Sequence, residues 1–257
     1  MKKIRELCSY KEFLKTNVRK DIRGKYKGSF LGVLWSFINP LLTVIVYAIV
    51  FPYVLKIQEE NYLIFLIVAI IPWNFFTTVI AQGTTCILYN SNIIKKVYFP
   101  REILPISVAT SGLVNFLISS LIIVLFVLIS GIGLSWNILF FPVIAIIQYL
   151  FSLGLIFMTS AINIYIRDAE YIINFIVMML FYATPILYSS SMFPANASWI
   201  LRCNPLTHIV EAYRDIFYYQ MPPNIKKLGI VLMLSIIILS LGYLMFKKLE
   251  KGFAEEV

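Results

Sequence analysis

The sequence predicts an all-α integral membrane protein: six transmembrane helices, an N-terminal amphipathic interfacial helix and an extracytoplasmic re-entrant helical pair. Three observations carry this. Six long apolar stretches hold no Asp, Glu, Lys, Arg or His, and a helix needs about 20 predominantly apolar residues to cross a bilayer core. Charged residues make up only 14% of the chain, against about a quarter in soluble domains. The basic residues also cluster on one side of the predicted spans. One membrane domain is expected: residues 1–29 as a cytoplasmic amphipathic helix and residues 30–257 as the transmembrane domain, with the external helical pair at about 189–223.

At the N-terminus, Tyr10, Phe13, Leu14, Val18 and Ile22 recur at helical spacing, with Lys11, Lys15, Arg19 and Lys20 around the rest of the wheel. Such a helix is expected to lie flat in the interface, although Asn17 and Asp21 fall on its apolar side. The first 29 residues contain no apolar signal-peptide core, so the first span is expected to direct insertion. The spans are placed at Phe30–Leu55, Tyr62–Leu88, Ile103–Ser130, Leu139–Ile166, Tyr171–Tyr188 and Leu228–Phe246. Pro40, Pro72, Pro142 and Pro185 are positioned to kink or break them.

An even number of spans puts both termini on one side. Of the 22 Lys and Arg residues, 17 fall on that side. They are the ten of the N-terminal tail, then Lys95, Lys96, Arg101, Arg167, Lys247, Lys248 and Lys251. The positive-inside rule makes that side cytoplasmic, with the protein multi-pass in the membrane. The formal charge of +9 is then mostly this asymmetry, attracted to membrane lipids; it calls for no nucleic acid.

The absences are also informative. The spans carry no ionisable group of the kind that proton-coupled carriers use as relays, though sodium bound by carbonyls at broken helices stays open. No G-x-x-x-x-G-K-[ST] loop occurs, and Gly24-Lys25 stands without the rest of that motif. The chain is therefore expected to be no enzyme, and any uphill work must come from a partner. Cys8, Cys86 and Cys203 show neither pairing nor metal spacing.

Three segments outside the spans carry patterns. The loop Asn90–Pro105 places Ile93, Ile94, Val97, Tyr98 and Phe99 among Lys95, Lys96, Arg101 and Glu102. Apolar residues rimmed by charge suit a docking surface; an interfacial turn with snorkelling lysines is the alternative. The loop from Ile166 to Tyr171, containing Arg167 and Asp168, is a second, smaller candidate. Outside, Asn204 is expected to cap a helix with Pro205 at its first position. There Leu206, Ile209, Val210, Tyr213 and Phe217 share one face, and His208, Glu211 and Asp215 the other. That trio reads first as a solvated polar face and only second as an acid–base or metal cluster; no metal site is assigned.

The stretch Tyr26-Lys27-Gly28-Ser29-Phe30-Leu31-Gly32-Val33-Leu34-Trp35, followed by Asn39-Pro40-Leu41-Leu42, resembles the start of the first span in ABC-2 type polysaccharide export permeases. Lys95-Lys96-Val97-Tyr98-Phe99-Pro100-Arg101-Glu102-Ile103-Leu104-Pro105 is similar to that family's first coupling segment. Arg167-Asp168 and Asn204-Pro205-Leu206-Thr207-His208-Ile209-Val210-Glu211-Ala212-Tyr213-Arg214 also match.

The resemblance implies two copies of this chain with a dimer of a separate ABC ATPase, which binds ATP and Mg; the chain itself carries no cofactor. It implies export of O-antigen, capsule or teichoic acid, with an undecaprenyl-diphosphate-linked glycan as cargo, across the bacterial inner membrane. The ATPase-docking candidates are then Ile93, Lys95, Lys96, Phe99, Pro100, Arg101, Glu102, Arg167 and Asp168. Trp35, Trp73, Phe76, Thr77 and Tyr182 are candidates to line the sugar path, with helix packing and interfacial belts as the competing roles. Arg19, Arg23, Lys25 and Lys27 are candidates for the lipid head group. An ABC-2 exporter of a drug or lipid is the alternative, and a membrane enzyme using His208, Glu211 and Asp215 a more distant one.

Overall fold

The computed structural model describes residues 10–26, 30, 32–55, 59–97 and 99–256. The predictions for Lys27 and Tyr98 fall outside these residues, as do the side chains of Arg23 and Lys25. The described helices are α1 (Lys11–Tyr26), α2 (Trp35–Leu55), α3 (Tyr62–Tyr89), α4 (Ile103–Ile129), α5 (Phe141–Tyr165), α6 (Ala169–Tyr182), α7 (Ser198–Cys203), α8 (Pro205–Phe217) and α9 (Ile225–Leu249), with single turns between and after them. No strand occurs among the described residues.

Helix α3 is the axis of the bundle, touched by α2, α4, α5, α6 and α8. Phe65, Leu66, Ile67, Val68 and Ala69 are consecutive and at most 1% exposed, so this helix is buried all round and needs no amphipathic pattern. Side-chain hydrogen bonds tie its neighbours in. Thr84 on α3 donates to Thr159 on α5 at 2.9 Å. Gln148 Nε2 donates to the Pro72 carbonyl at 2.8 Å, and Tyr213 donates to Gln148 Oε1 at 3.1 Å. Hydroxyls and amides in an apolar bundle bond between helices in this way because the alternative is an unpaired polar group.

Helix α9 crosses α5 with almost no side chain between them. A Cβ on Gly242 would stand 2.3 Å from the Gly154 carbonyl oxygen, and one on Gly154 would stand 2.6 Å from the Leu239 backbone nitrogen. Small residues allow this backbone approach.

Four stretches are long and apolar enough to cross a membrane: Tyr62–Tyr89, Ile103–Ile129, Trp136–Tyr165 and Ile225–Gly252. They coincide with predicted spans two, three, four and six. The outward stripes of α4 (Leu117, Leu121, Leu125, Leu128) and α9 (Ile230, Met233, Ile237, Leu241, Leu244) are all at least 42% exposed, a pattern that suits lipid and not water.

The first and fifth predicted spans are shorter in the structure. The first runs as a 3₁₀ turn over Gly32–Leu34 and becomes an α-helix at Trp35; Gly32 has φ 50°, a left-handed conformation that an α-helix does not contain. The fifth stops at Tyr182, not Tyr188; Pro185 lacks an N–H and disfavours helix at the residue before it. Its 14 residues reach roughly 21 Å at 1.5 Å per residue.

The N-terminal helix has the predicted two faces, but protein covers the apolar one. Phe13, Leu14, Asn17 and Val18 are half-buried, while Lys11, Lys15, Arg19 and Lys20 are exposed. The helix packs on α4, and the Phe13 ring lies 5.1 Å from that of Phe99.

Candidate functional site

The loop between α3 and α4 opens with a single helical turn, Ser91–Ile94. Lys95, Lys96 and Val97 are exposed and Ile93 is half-buried. Lys95, Lys96 and Val97 line a cleft of about 230 Å³ together with Ile94, Phe99 and Arg101. The remaining predicted docking residues of this loop turn towards the protein. Phe99 and Pro100 are buried, the former against Phe13. Glu102 is 2% exposed, and its Oε1 lies 2.6 Å from Lys247 Nζ at the end of α9. Lys247 also holds Glu250 at 2.7 Å. Arg101 donates to the Glu250 carbonyl and stands 5.8 Å from the Phe253 ring.

The second loop reaches the same place. Tyr165 donates to the Leu249 carbonyl at 2.9 Å, and its ring lies 6.4 Å from Phe253. Asn163 Oδ1 accepts the Glu170 backbone N–H at 3.1 Å. Arg167 and Asp168 are exposed. The chain's last turns thus gather both loops. Sequence reading missed Tyr165, Lys247, Glu250 and Phe253 in this role, because no local pattern ties a lysine at a helix end to a glutamate so far upstream.

A second feature is a groove of about 340 Å³ between α2, α3 and α6. Trp73, Thr77 and Tyr182, from the predicted sugar path, meet here with Thr43, Tyr47, Asn74, Asn174 and Phe181. Phe181 is the hub of the rings: it lies 6.2 Å from Tyr47, 5.6 Å from Trp73 and 5.3 Å from Tyr182. Phe76 is elsewhere; it is 1% exposed and stacks on Phe151 at 6.1 Å. Trp35, at the start of α2, does not line the groove. Asn174 was missed, though an amide in the middle of an apolar segment was a readable signal.

The end opposite the docking loop is built on α8. Asn204 Oδ1 accepts the Leu206 N–H at 3.0 Å and Pro205 takes the first position, as predicted. Leu206, Ile209, Val210, Tyr213 and Phe217 are at most 3% exposed. His208, Glu211 and Asp215 line a polar cleft of about 400 Å³ with Ser190 and Lys227. Glu211 accepts from Ser190 at 2.8 Å and pairs with Lys227 at 3.1 Å. Burial alone would raise its pKa, but the bonds from Ser190 and Lys227, with the His208 ring 3.7 Å away, outweigh that and lower it to about 2. A carboxylate so stabilised is a poor base at neutral pH, which argues against an acid–base role. His208 Nε2 is 2.9 Å from the Arg202 carbonyl, so the ring serves the link between α7 and α8.

Arg214 had no role of its own in the sequence reading beyond closing the matched stretch Asn204–Arg214. It is 3% exposed. Its guanidinium donates to the Pro185 and Ile186 carbonyls at 2.5 and 2.7 Å, supporting the backbone that Pro185 frees from α6. Asn204 Nδ2 donates to the Ala183 carbonyl and Tyr62 to the Leu187 carbonyl, so the unwound segment is held along its length. Arg19, the described member of the head-group set, is exposed on α1.

An all-helical bundle with apolar outer stripes, held tightly at both ends, defines a multi-pass membrane protein. The chain belongs to the ABC-2 type transporter family, whose model matches residues 12–218. An O-antigen export system permease protein RfbA of Myxococcus xanthus is 32% identical over 256 residues, covering 99% of this chain and 98% of that protein. Two proteins of the same name from Klebsiella pneumoniae are 37% and 35% identical over 238 residues, covering 92% of this chain and 91% of theirs.

Proposed function

We propose that this chain is the permease subunit of an ATP-driven exporter that carries an undecaprenyl-diphosphate-linked O-antigen polysaccharide across the bacterial inner membrane. The observation that carries the reading is the groove between α2, α3 and α6, in a chain whose relatives bear O-antigen export names along nearly their whole length. An amide facing hydrocarbon without a partner costs about 2–7 kcal/mol. Asn74 and Asn174 therefore suit a polar path better than a lipid-facing surface. Tyr47, Trp73 and Tyr182 supply flat faces on which sugars can slide through weak, repeated contacts.

A second copy of the chain closes this groove and encloses the path. The short helices α2 and α6 complete six crossings, the latter through the unwound segment after Tyr182, and α7 with α8 forms the re-entrant pair at the outer surface. Both termini lie in the cytoplasm, as the basic residues direct. A separate ABC ATPase dimer, binding ATP and Mg, docks on Ile93, Lys95 and Lys96 and on Arg167 and Asp168. Phe99, Pro100, Arg101 and Glu102 hold that surface in place from behind. Arg19, with Arg23, Lys25 and Lys27, meets the lipid diphosphate through charge-assisted bonds.

Deleting the gene tests the reading. Loss of surface O-antigen with lipid-linked glycan accumulating inside the cell is expected. Unchanged surface glycan with altered drug tolerance would favour a drug exporter instead, and capsule or teichoic acid loss would reassign the cargo.

A further inference from the structure

Helix α9 is tied to the rest of the chain at each of its ends. At the end near the docking loop, Lys247 lies 2.6 Å from Glu102, Arg101 donates to the Glu250 carbonyl, and Tyr165 donates to the Leu249 carbonyl at 2.9 Å. At the other end, Lys227 lies 3.1 Å from Glu211 on α8. The helix has 25 residues and no proline, and Lys227 and Lys247 are about 30 Å apart along its straight rise. Gly154 and Gly242 bring its backbone against that of α5.

These fixings lie behind the docking surface and outside the sugar-path groove. The Glu102 side chain is 3% exposed, too deep to reach a partner. A buried ion pair is also weak evidence for stability, because desolvation offsets the attraction; holding one arrangement against others is its better-attested use. A buried fixing at Glu102 and a second, half-exposed tie at Lys227 on one rigid element give the geometry of a mechanical link, since packed helices resist compression and transmit strain.

We propose that α9 is a strut that carries displacement of the Arg101–Glu102 segment to α8 at the opposite surface, with Lys247 and Lys227 as positioning residues at its two fixings. A push on Lys95 and Lys96 moves Glu102, Glu102 takes Lys247 with it, and the shift of α9 draws Lys227 away from Glu211. That separation opens the cleft beside Ser190 and His208. The inference rests on the ATPase-driven reading above.

The test uses the permease–ATPase complex in lipid nanodiscs, in a Cys8→Ser, Cys86→Ser background. A fluorophore is placed on Cys203, which is exposed at the end of α7. A non-hydrolysable ATP analogue is expected to change its emission in the parent complex. Lys247→Met and Lys227→Met are each expected to reduce that change about fivefold or more, within the usual range of inter-site coupling, while the ATPase co-purifies undiminished. Lys247→Arg, and the exchange Glu102→Lys with Lys247→Glu, should restore the response. Lys227 is half-exposed, so its variant carries the test even if Lys247→Met fails to fold. A full response in either Met variant, or no response in the parent, would overturn the strut alone. Failure of the ATPase to co-purify with the parent chain would overturn the transport reading and the strut with it.

Discussion

The Arg214 guanidinium stands 3.5 Å from the centroid of the Phe65 ring, which places a buried cation on the central helix while both its terminal nitrogens hold the carbonyls of Pro185 and Ile186. A planar fork can stack and donate at once; an ammonium cannot. Arg214→Leu is expected to lower the melting temperature in detergent, because each orphaned buried carbonyl costs about 1–3 kcal/mol. Arg214→Lys should recover only part of the loss. Melting equal to the parent in both variants would remove Arg214 from its structural role.

The backbone contact between α5 and α9 makes a sharp comparison between two glycines of one helix. Gly242→Ala should destabilise the protein, since its Cβ would meet the Gly154 carbonyl at 2.3 Å. Gly229→Ala has nothing within 4 Å and should be neutral, or stabilising by up to about 1 kcal/mol from helix propensity. Thermal unfolding of the pair in nanodiscs checks this, and equal behaviour would contradict the crossing geometry.

Groove and core residues should separate by phenotype. Tyr182 is 66% exposed, so Tyr182→Ala and Asn174→Leu are expected to leave expression and melting unchanged while reducing surface glycan. Phe76→Ala empties a packed site and should cost about 3–5 kcal/mol, lowering the amount of folded protein. Full export by the double variant Tyr182→Ala, Asn174→Leu would move the sugar path elsewhere.

Charge reversal on the docking loop should likewise divide. Lys96→Glu changes an exposed residue and is expected to reduce ATPase co-purification with the fold intact. Arg101→Glu also breaks the tie to Glu250 and Phe253, so melting should fall as well. Pull-down and melting curves on the two variants separate docking from support.

Acid should loosen the outer surface. The Glu211 pKa is lowered in the fold to about 2 from 4.5, so the stability it contributes is present above pH 4.5 and fades as pH falls towards 2. Glu211→Gln should therefore melt below the parent at pH 7, with the gap narrowing through that window. A gap that stays constant would show that Glu211 owes nothing to its charge.

Much of this is legible in the sequence. Runs without charge placed four long helices within a few residues, since an uncharged apolar run of that length has few stable alternatives to a buried or membrane helix. Asn204-Pro205 marked the start of α8, and its two faces divided as their spacing required, because local hydrogen bonding and helical period decide both. Trp73, Thr77 and Tyr182, expected on one path, do share one groove. Phe76 was not distinguishable from them, since an aromatic at a helix position does not announce whether it faces a groove or Phe151.

The amino-acid order alone determined that this chain lives in a membrane and where its four long helices run, because hydropathy and helix period act over short segments. Only the folded bundle decided that Glu102 turns inward to Lys247, that Arg214 is buried under a broken helix, and that α2, α3 and α6 leave a polar groove. Those outcomes depend on which distant residues meet, and a buried charge or amide shows its purpose only when its partner, or the lack of one, is in view.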